Sequence, residues 1–581
     1  MQVCDAFALH TLRVIGFAAL VYGHAGASAD TAADTAADTS DQTHAGLANV
    51  TIIDHAKGYT LGQGQGVVQF EAMAFDAKGK IIAIGSNAAV AAKLPQARHI
   101  DMQGKTVLPG LIDAHGHVFG QGELAAQLVL RETKSLEQAQ SMIAAYAKAN
   151  PARSWLYGFG WNQAVWQLGR FPTAAEIDAV VADRPVWLER VDGHAGWANS
   201  KALQLAGITA ATRDPAGGKI ERDAKGKPSG VLVDSAMALI SKVAPPATQA
   251  ELRLALDAAM AQLASMGLTS VHDAGVGVAQ DALMREYANA GKLKVRVYGM
   301  IRGVGPEFDQ LAAKGPLVTM ADDHYALRAV KLFSDGALGS RGAALLQPYS
   351  DAAQTRGLLF LDDKAMQAQM GKAMQAGYQV NVHAIGDGGN RQVLDSFAKL
   401  IPQYQSQALR HRVEHAQVVD VADIARFKQL GIVPSMQPTH ATSDKNMAEQ
   451  RVGHERIKGA YAWRSFLQQE SRIACGSDFP IESPNPFWGI HAAVTRQDMA
   501  GAPVAGWYPN QAMSLLEALR CFTLDAAWAA HQEQQLGSLE VGKWADFIVT
   551  EQDLFTMPTY DIFKMKVLQT WVGGRQVFQA K

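Results

Sequence analysis

Eight short apolar runs, each separated from the next by Ala-, Leu- and Gln-rich stretches of helical character, constrain this 581-residue chain most strongly. They are Val107–Ile112, Thr269–Asp273, Lys294–Met300, Ala329–Phe333, Gln379–His383, Arg412–His415, Ile432–Gln437 and Ile473–Asp478. Strands alternating with helices build βα units and a parallel sheet. Eight such units is the count of a closed (β/α)8 TIM barrel in the α/β class. A helix opening on the capping box Ser514-Leu-Leu-Glu517 follows the eighth run.

The chain is too long for one core, so further units are expected. Residues 118–265 are too many for one βα loop and predict an insert after the first barrel strand. Its elements read as Trp155–Trp161, Val186–Val191 and a hairpin over Gly218–Leu232. An insert there leaves from the face where TIM-barrel active sites lie, and is expected to cover the site. The two ends of the chain read as short strands: Val50–Asp54, Val67–Phe75 and Lys80–Gly85, then Leu539–Val549 and Thr570–Phe578. Turns fall at Asp76–Gly79 and Gly573-Gly574. Neither end can bury a core alone, so residues 47–108 and 536–581 are expected to join in one β-sandwich around a barrel domain of 109–535.

Residues 1–29 have the features of a secretory leader: Arg13, the apolar stretch Val14–Tyr22 and the small-residue site Ala27-Ser28-Ala29. Residues 30–46 contain the repeat Thr31-Ala-Ala-Asp-Thr-Ala-Ala-Asp38 and read as a disordered linker. A periplasmic or secreted protein is expected, or a cytoplasmic one without that leader. The apolar stretch is too short to span a bilayer stably. A net charge of −2 removes the electrostatic case for nucleic acid. Three cysteines, Cys4, Cys475 and Cys521, suggest no disulfide framework, and Cys475 reads as packing.

The first run continues as Asp113-Ala-His115-Gly-His117. Residues i and i+2 share a strand face, so both imidazoles project together at the end of a buried strand, as half of a transition-metal site. Seventeen histidines in 581 residues produce roughly 0.5 such pairs by chance, so the apolar strand before the pair carries the inference. Other runs end in further ligands: His383, His415 and Asp478. The fourth carries Lys331 inside Ala329-Val-Lys-Leu-Phe333. Singly these could be core histidines, a helix-capping Asp or a snorkelling lysine. Together they fall at one end of separate strands.

His115, His117, Lys331, His383, His415 and Asp478 match the metal-binding pattern of the amidohydrolase superfamily. The phrases Asp192–Asn199, Lys331–Gly339 and Met436–His440 resemble its branch containing N-substituted formamide deformylase, over about residues 48–581. The resemblance implies a hydrolase holding two divalent metal ions, usually zinc, bridged by a carbamate formed on Lys331 from CO2. A metal-activated hydroxide would attack the substrate carbonyl, with Asp478 passing its proton to the departing nitrogen. Lys331, Asp478 and His194 are thus the candidate catalytic residues, and Trp161, His194, Gln437 and His440 the candidate substrate contacts. Glu414 alternates away from His415 and is expected to bond elsewhere; His272 and His411 read as core or supporting residues.

The expected substrate is a small-molecule N-acyl or N-formyl amine with an apolar substituent, and a homodimer is the assembly to test. One alternative is a deaminase or cyclic amidase of the same superfamily, against whose mononuclear members Lys331 argues. The other is a catalytically inactive binding or regulatory protein on this scaffold, against which the complete ligand set argues.

Overall fold

The structure is a computed structural model that describes residues 49–581 apart from 63–65, 152, 164, 191–194, 216–217, 245–246 and 340. The leader, the linker, Cys4 and His194 lie outside the described residues. Among those described, no helix is long and apolar enough to cross a membrane.

Eight parallel strands follow one another around a TIM barrel: Leu111–Gly116, Leu268–Val276, Arg296–Arg302, Tyr325–Phe333, Gln379–Ala384, Arg412–His415, Val433–Met436 and Ala474–Cys475. We number them as barrel strands one to eight. Each pairs in parallel with its neighbours, and the ring closes through Asp478 N donating to His115 O at 2.7 Å and His117 N to Phe479 O at 2.8 Å. Gly116 makes this closure possible, because a Cβ there would sit 2.2 Å from the Phe479 ring. Nearly every strand residue is buried, as a sheet covered by helices on its outside and filled on its inside requires.

Strand one differs from expectation. The run from Val107 to Ile112 divides at Gly110: Thr106–Pro109 belongs to a different sheet, and the barrel begins at Leu111. Phe547–Thr550 pairs antiparallel with Thr106–Pro109, whose other neighbour is Lys57–Leu61, so both chain ends contribute to one six-stranded sheet. A four-stranded sheet of Ile81–Gly85, Ala72–Phe75, Thr51–Asp54 and Arg98–Asp101 packs on it. Phe75, Phe547 and Trp571 fill the space between the two, with Phe547 and Trp571 stacked 5.2 Å apart. The C-terminal hairpin turns at Gly573-Gly574, both with positive φ, as the expected two-residue turn demands.

The insert is narrower than residues 118–265. Helices Val118–Ala126 and Gln249–Ser265 belong with the barrel, where they touch so closely that a Cβ on Gly122 would lie 1.8 Å from Ala255 O. Residues 127–247 form a unit of their own, with a six-stranded sheet in the order Gly218–Arg222, Pro228–Asp234, Ala195–Ala198, Val186–Arg190, Leu156–Trp161 and Leu128–Val129. Its core gathers Trp161, Trp166 and Trp197. Trp161 is fully buried there and donates its indole N–H to Leu188 O at 2.7 Å, so it packs the insert rather than lining a substrate pocket.

The cysteines also depart from expectation. Cys475 on strand eight is disulfide-bonded to Cys521 at the end of the helix Leu515–Cys521, tying that strand to the barrel's outer layer. That helix opens on the capping box expected at Ser514 and Glu517.

Candidate metal centre

All six side chains singled out as ligands meet at the C-terminal ends of the barrel strands. Strand four delivers Lys331, only 1 % exposed, with Nζ 3.0 Å from His115 Nε2. Asp478 Oδ1 lies 3.2 Å from His117 Nε2 and 3.5 Å from His115 Nε2. The His415 ring centroid is 4.9 Å from that of His115 and 4.5 Å from that of His383. The ligand atoms of His115, His117 and Asp478 lie within 4.8 Å of one another.

The local backbone is strained where it serves this convergence. His415 has φ +75° and Asp478 φ +60°, left-handed values that side-chain-bearing residues seldom adopt and that cluster at functional sites. His415 is the last residue of strand six, paired with Ala384, and Asp478 lies just beyond the end of strand eight. Tight neighbours hold the loop after strand eight: a Cβ on Gly476 would lie 2.5 Å from His115 N.

Two of the imidazoles are oriented from behind. Glu414, fully buried, places Oε2 2.5 Å from His115 Nδ1, leaving Nε2 of that ring for the centre. Gln437 does the same for His415, its Oε1 accepting from Nδ1 at 2.7 Å. Carboxylate or carbonyl partners on the far nitrogen are how metal-binding histidines are fixed in tautomer and direction. Gln437 thus serves as a support for His415. His440 stays at the centre: its ring stacks on His415, and Nε2 is 3.9 Å from Asp478 Oδ2.

Two more carboxylates hold the ligand-bearing segments together. Asp113 accepts from His115 N at 3.0 Å, Ser477 N at 3.1 Å and Ser477 Oγ at 2.6 Å, pinning strand one to the loop that carries Asp478. Asp335, beyond Lys331, accepts from Ala344 N, Ile385 N and Gly386 N. Burial pushes each of these carboxyls up to about 7 against those donors.

Sequence reasoning assigned no role to Asp113 or Asp335 and sent Glu414 elsewhere. A usable signal was present in all three. Carboxylates inside apolar strand text are seldom buried without a dedicated partner, and a strand that twists lets residue 414 reach a ligand on strand one. His272 and His411 are supports, as expected: His272 Nδ1 meets Arg412 Nη1 at 3.0 Å, and His411 accepts from Val380 N at 2.9 Å.

The electrostatics ask for a cation. Burial pushes His115 and His415 well below the usual imidazole range and His383 down to about 3, with Lys331 adding to the effect. The rings are thus neutral and able to donate lone pairs. Asp478 is held well below the usual carboxylate range; burial opposes its charge, but the hydrogen bond from His117 and the adjoining His115 and His415 outweigh it. His383 Nε2 and His440 Nε2 are buried with no hydrogen-bond partner. Neutral imidazoles at His115, His383 and His415, joined by His117 and the ionised Asp478, form a donor set suited to zinc or a similar divalent transition metal.

A family model described as amidohydrolase family matches residues 98–578. Over 514 residues the chain is 33% identical to the protein LONG AFTER FAR-RED 3 of Arabidopsis thaliana, covering 86% of this chain and 87% of that one. It is 31% identical over 513 residues to an N-substituted formamide deformylase of Arthrobacter pascens, covering 85% and 93%. An uncharacterized metal-dependent hydrolase of Pyrococcus horikoshii superposes with a TM-score of 0.74 at 26% identity, covering 88% of this chain and 99% of its own. With this match, a barrel of eight parallel strands and a histidine-rich centre at their C-terminal ends, the chain belongs to the amidohydrolase family of hydrolases.

Proposed function

We propose that this hydrolase cleaves the C–N bond of an N-acyl or N-formyl amine at a centre of two divalent cations, zinc by preference. The observation that carries the reading is the convergence of His115, His117, Lys331, His383, His415 and Asp478 from five barrel strands onto one small volume. Cations held by those residues would supply Lewis acidity toward the carbonyl and acidify water.

The chain's own groups do the rest. Asp478, kept ionised, takes the proton released as the amide is attacked and returns it to the departing nitrogen at the same oxygen. His440, whose Nε2 lies 3.9 Å from that carboxylate, would donate to the substrate carbonyl. His194 keeps the catalytic and substrate-contact role read from its sequence context. A buried ammonium on Lys331 would repel cations. An amine at Lys331 that took up CO2, with loss of a proton, would instead offer the cations an anionic carbamate.

Elemental analysis followed by a screen of N-acyl and N-formyl amines tests the reading. Two metal equivalents at this centre, with turnover lost to a chelator and restored by Zn2+, are expected. A metal-replete protein inert toward amides, or one equivalent with deaminase turnover, overturns it. Lys331→Ala should lose metal and activity, with partial rescue by a short carboxylic acid.

Export to an oxidising compartment is part of the same proposal. It is supported by the Cys475–Cys521 disulfide, a bond rarely kept in reducing cytosol. N-terminal sequencing of the mature protein should begin at Asp30.

A further inference from the structure

Away from the barrel mouth, the four-stranded sheet gathers a second group of ligating side chains. Thr51–Asp54 pairs in parallel with Arg98–Asp101, and the register sets Asp54 opposite Asp101. Like charges side by side on adjacent strands are unfavourable unless something positive stands between them. The ion-pair partners of these carboxylates are imidazoles. His55 Nδ1 lies 3.2 Å from Asp101 Oδ1 and 3.5 Å from Asp54 Oδ1, and His99 Nδ1 lies 2.5 Å from Asp54 Oδ2.

Asp101 Oδ1 also accepts from Gln103 N at 2.8 Å, so the shortfall in hydrogen bonding falls on Asp54. His55 Nδ1 has one proton or one lone pair and faces two carboxylate oxygens. Asp54 Oδ1 is buried and has no hydrogen-bond partner, although the His55 ring stands over it and is itself 62% exposed. An anionic oxygen taken out of water without a donor is costly.

We infer that Asp54, His55 and Asp101 form a separate site for one divalent transition metal, zinc foremost, with His99 orienting Asp54 from behind. The three ligand atoms lie within 4.8 Å of one another. Bonds of about 2.1 Å in a tetrahedron place neighbouring ligands about 3.4 Å apart, close to the 3.2 and 3.5 Å seen here. One imidazole with two carboxylates favours zinc, nickel or copper over calcium and magnesium. His99 on the other Asp54 oxygen repeats the outer-partner pattern that Glu414 and Gln437 provide in the barrel. Water completes the coordination, because His55 and Asp101 are exposed. Such a metal would staple the turn after Thr51–Asp54 to the strand Arg98–Asp101, a bond between segments 46 residues apart.

The test equilibrates the full chain with Zn2+ alone, removes free metal by gel filtration, and compares zinc per chain in wild type, His55→Ala and Asp101→Asn. Whatever the barrel centre holds is common to all three and cancels. Wild type should exceed each variant by one equivalent, and added Zn2+ should raise the Tm of wild type further than that of either variant. His454→Ala, which removes an exposed histidine 3.2 Å from Glu449, should keep the full zinc content. Equal zinc in wild type and both sheet variants overturns the site. So does an equal loss in His454→Ala, which would mark adventitious binding to exposed histidines.

Discussion

His411 and His415 stand at the two ends of barrel strand six, both buried, and they show how alike a supporting and a ligating histidine can look. At the lower end, His411 uses both nitrogens: Nδ1 accepts from Val380 N at 2.9 Å, and Nε2 meets Ser406 Oγ at 3.0 Å. Its ring stacks on Phe397, and nothing is left over for a ligand. At the upper end, Gln437 engages Nδ1 of His415 and leaves Nε2 among His115, His383 and Asp478, on a backbone held at φ +75°. Burial depresses both rings, so proton affinity does not separate them. A spare nitrogen and a strained backbone do.

Exchanging the roles is the strongest challenge to this contrast. His415→Ala should abolish turnover and remove metal, as read by elemental analysis, while the metal-free fold keeps its denaturation midpoint. His411→Ala should do the reverse: metal and turnover stay, and stability falls by about 1–3 kcal/mol through the stranded Val380 N–H. Loss of metal from His411→Ala would erase the distinction. Next in size, Asp478→Asn should lower kcat by about 10²–10⁴-fold, the range of a lost acid–base group. An unchanged kcat would remove the proton-transfer role. Glu414→Gln should weaken metal binding by about 10–100-fold without unfolding the barrel, measured by competition with a chromophoric chelator. Full affinity would show that His115 needs no support.

The pH dependence sharpens the lower half of the comparison. Burial pushes His411 down to about 3 in the folded protein, below its usual value near 6.5. The unfolded chain therefore binds the extra proton first. His411 contributes fully above pH 6.5, and its contribution shrinks as pH falls toward 3, by at most about 1.4 kcal/mol per pH unit. Asp113 and Asp335, pushed up to about 7, act in the opposite sense and favour the fold as pH falls from 7 toward 4. Urea titrations of wild type and His411→Gln between pH 7 and 5 isolate the histidine: the variant should lose less stability on acidification. Parallel curves would contradict the assignment. The smallest effect concerns the mouth, where Phe333 is 37% exposed and its ring lies 5.4 Å from that of His383. Phe333→Ala should raise KM about two- to fivefold for amides with large apolar substituents, kcat being nearly constant, because about 0.5–1 kcal/mol of apolar contact is removed.

Local pattern was enough to reveal the eight barrel strands, the joint sheet of the two chain ends, the Ser514 capping box and the six converging side chains. Alternation, strand length and capping chemistry act over a few residues, so they are written in the order of the letters. What Glu414, Gln437 and Trp161 do was settled only in three dimensions. Glu414 reaches a histidine 299 positions away, Gln437 turns to a neighbouring strand, and Trp161 disappears into the insert's own core. The Cys475–Cys521 bond and the division of strand one at Gly110 belong with them. Each depends on which distant backbone closes against which, and packing and hydrogen-bond satisfaction across the finished barrel decide that, since residue type and spacing carry no record of it.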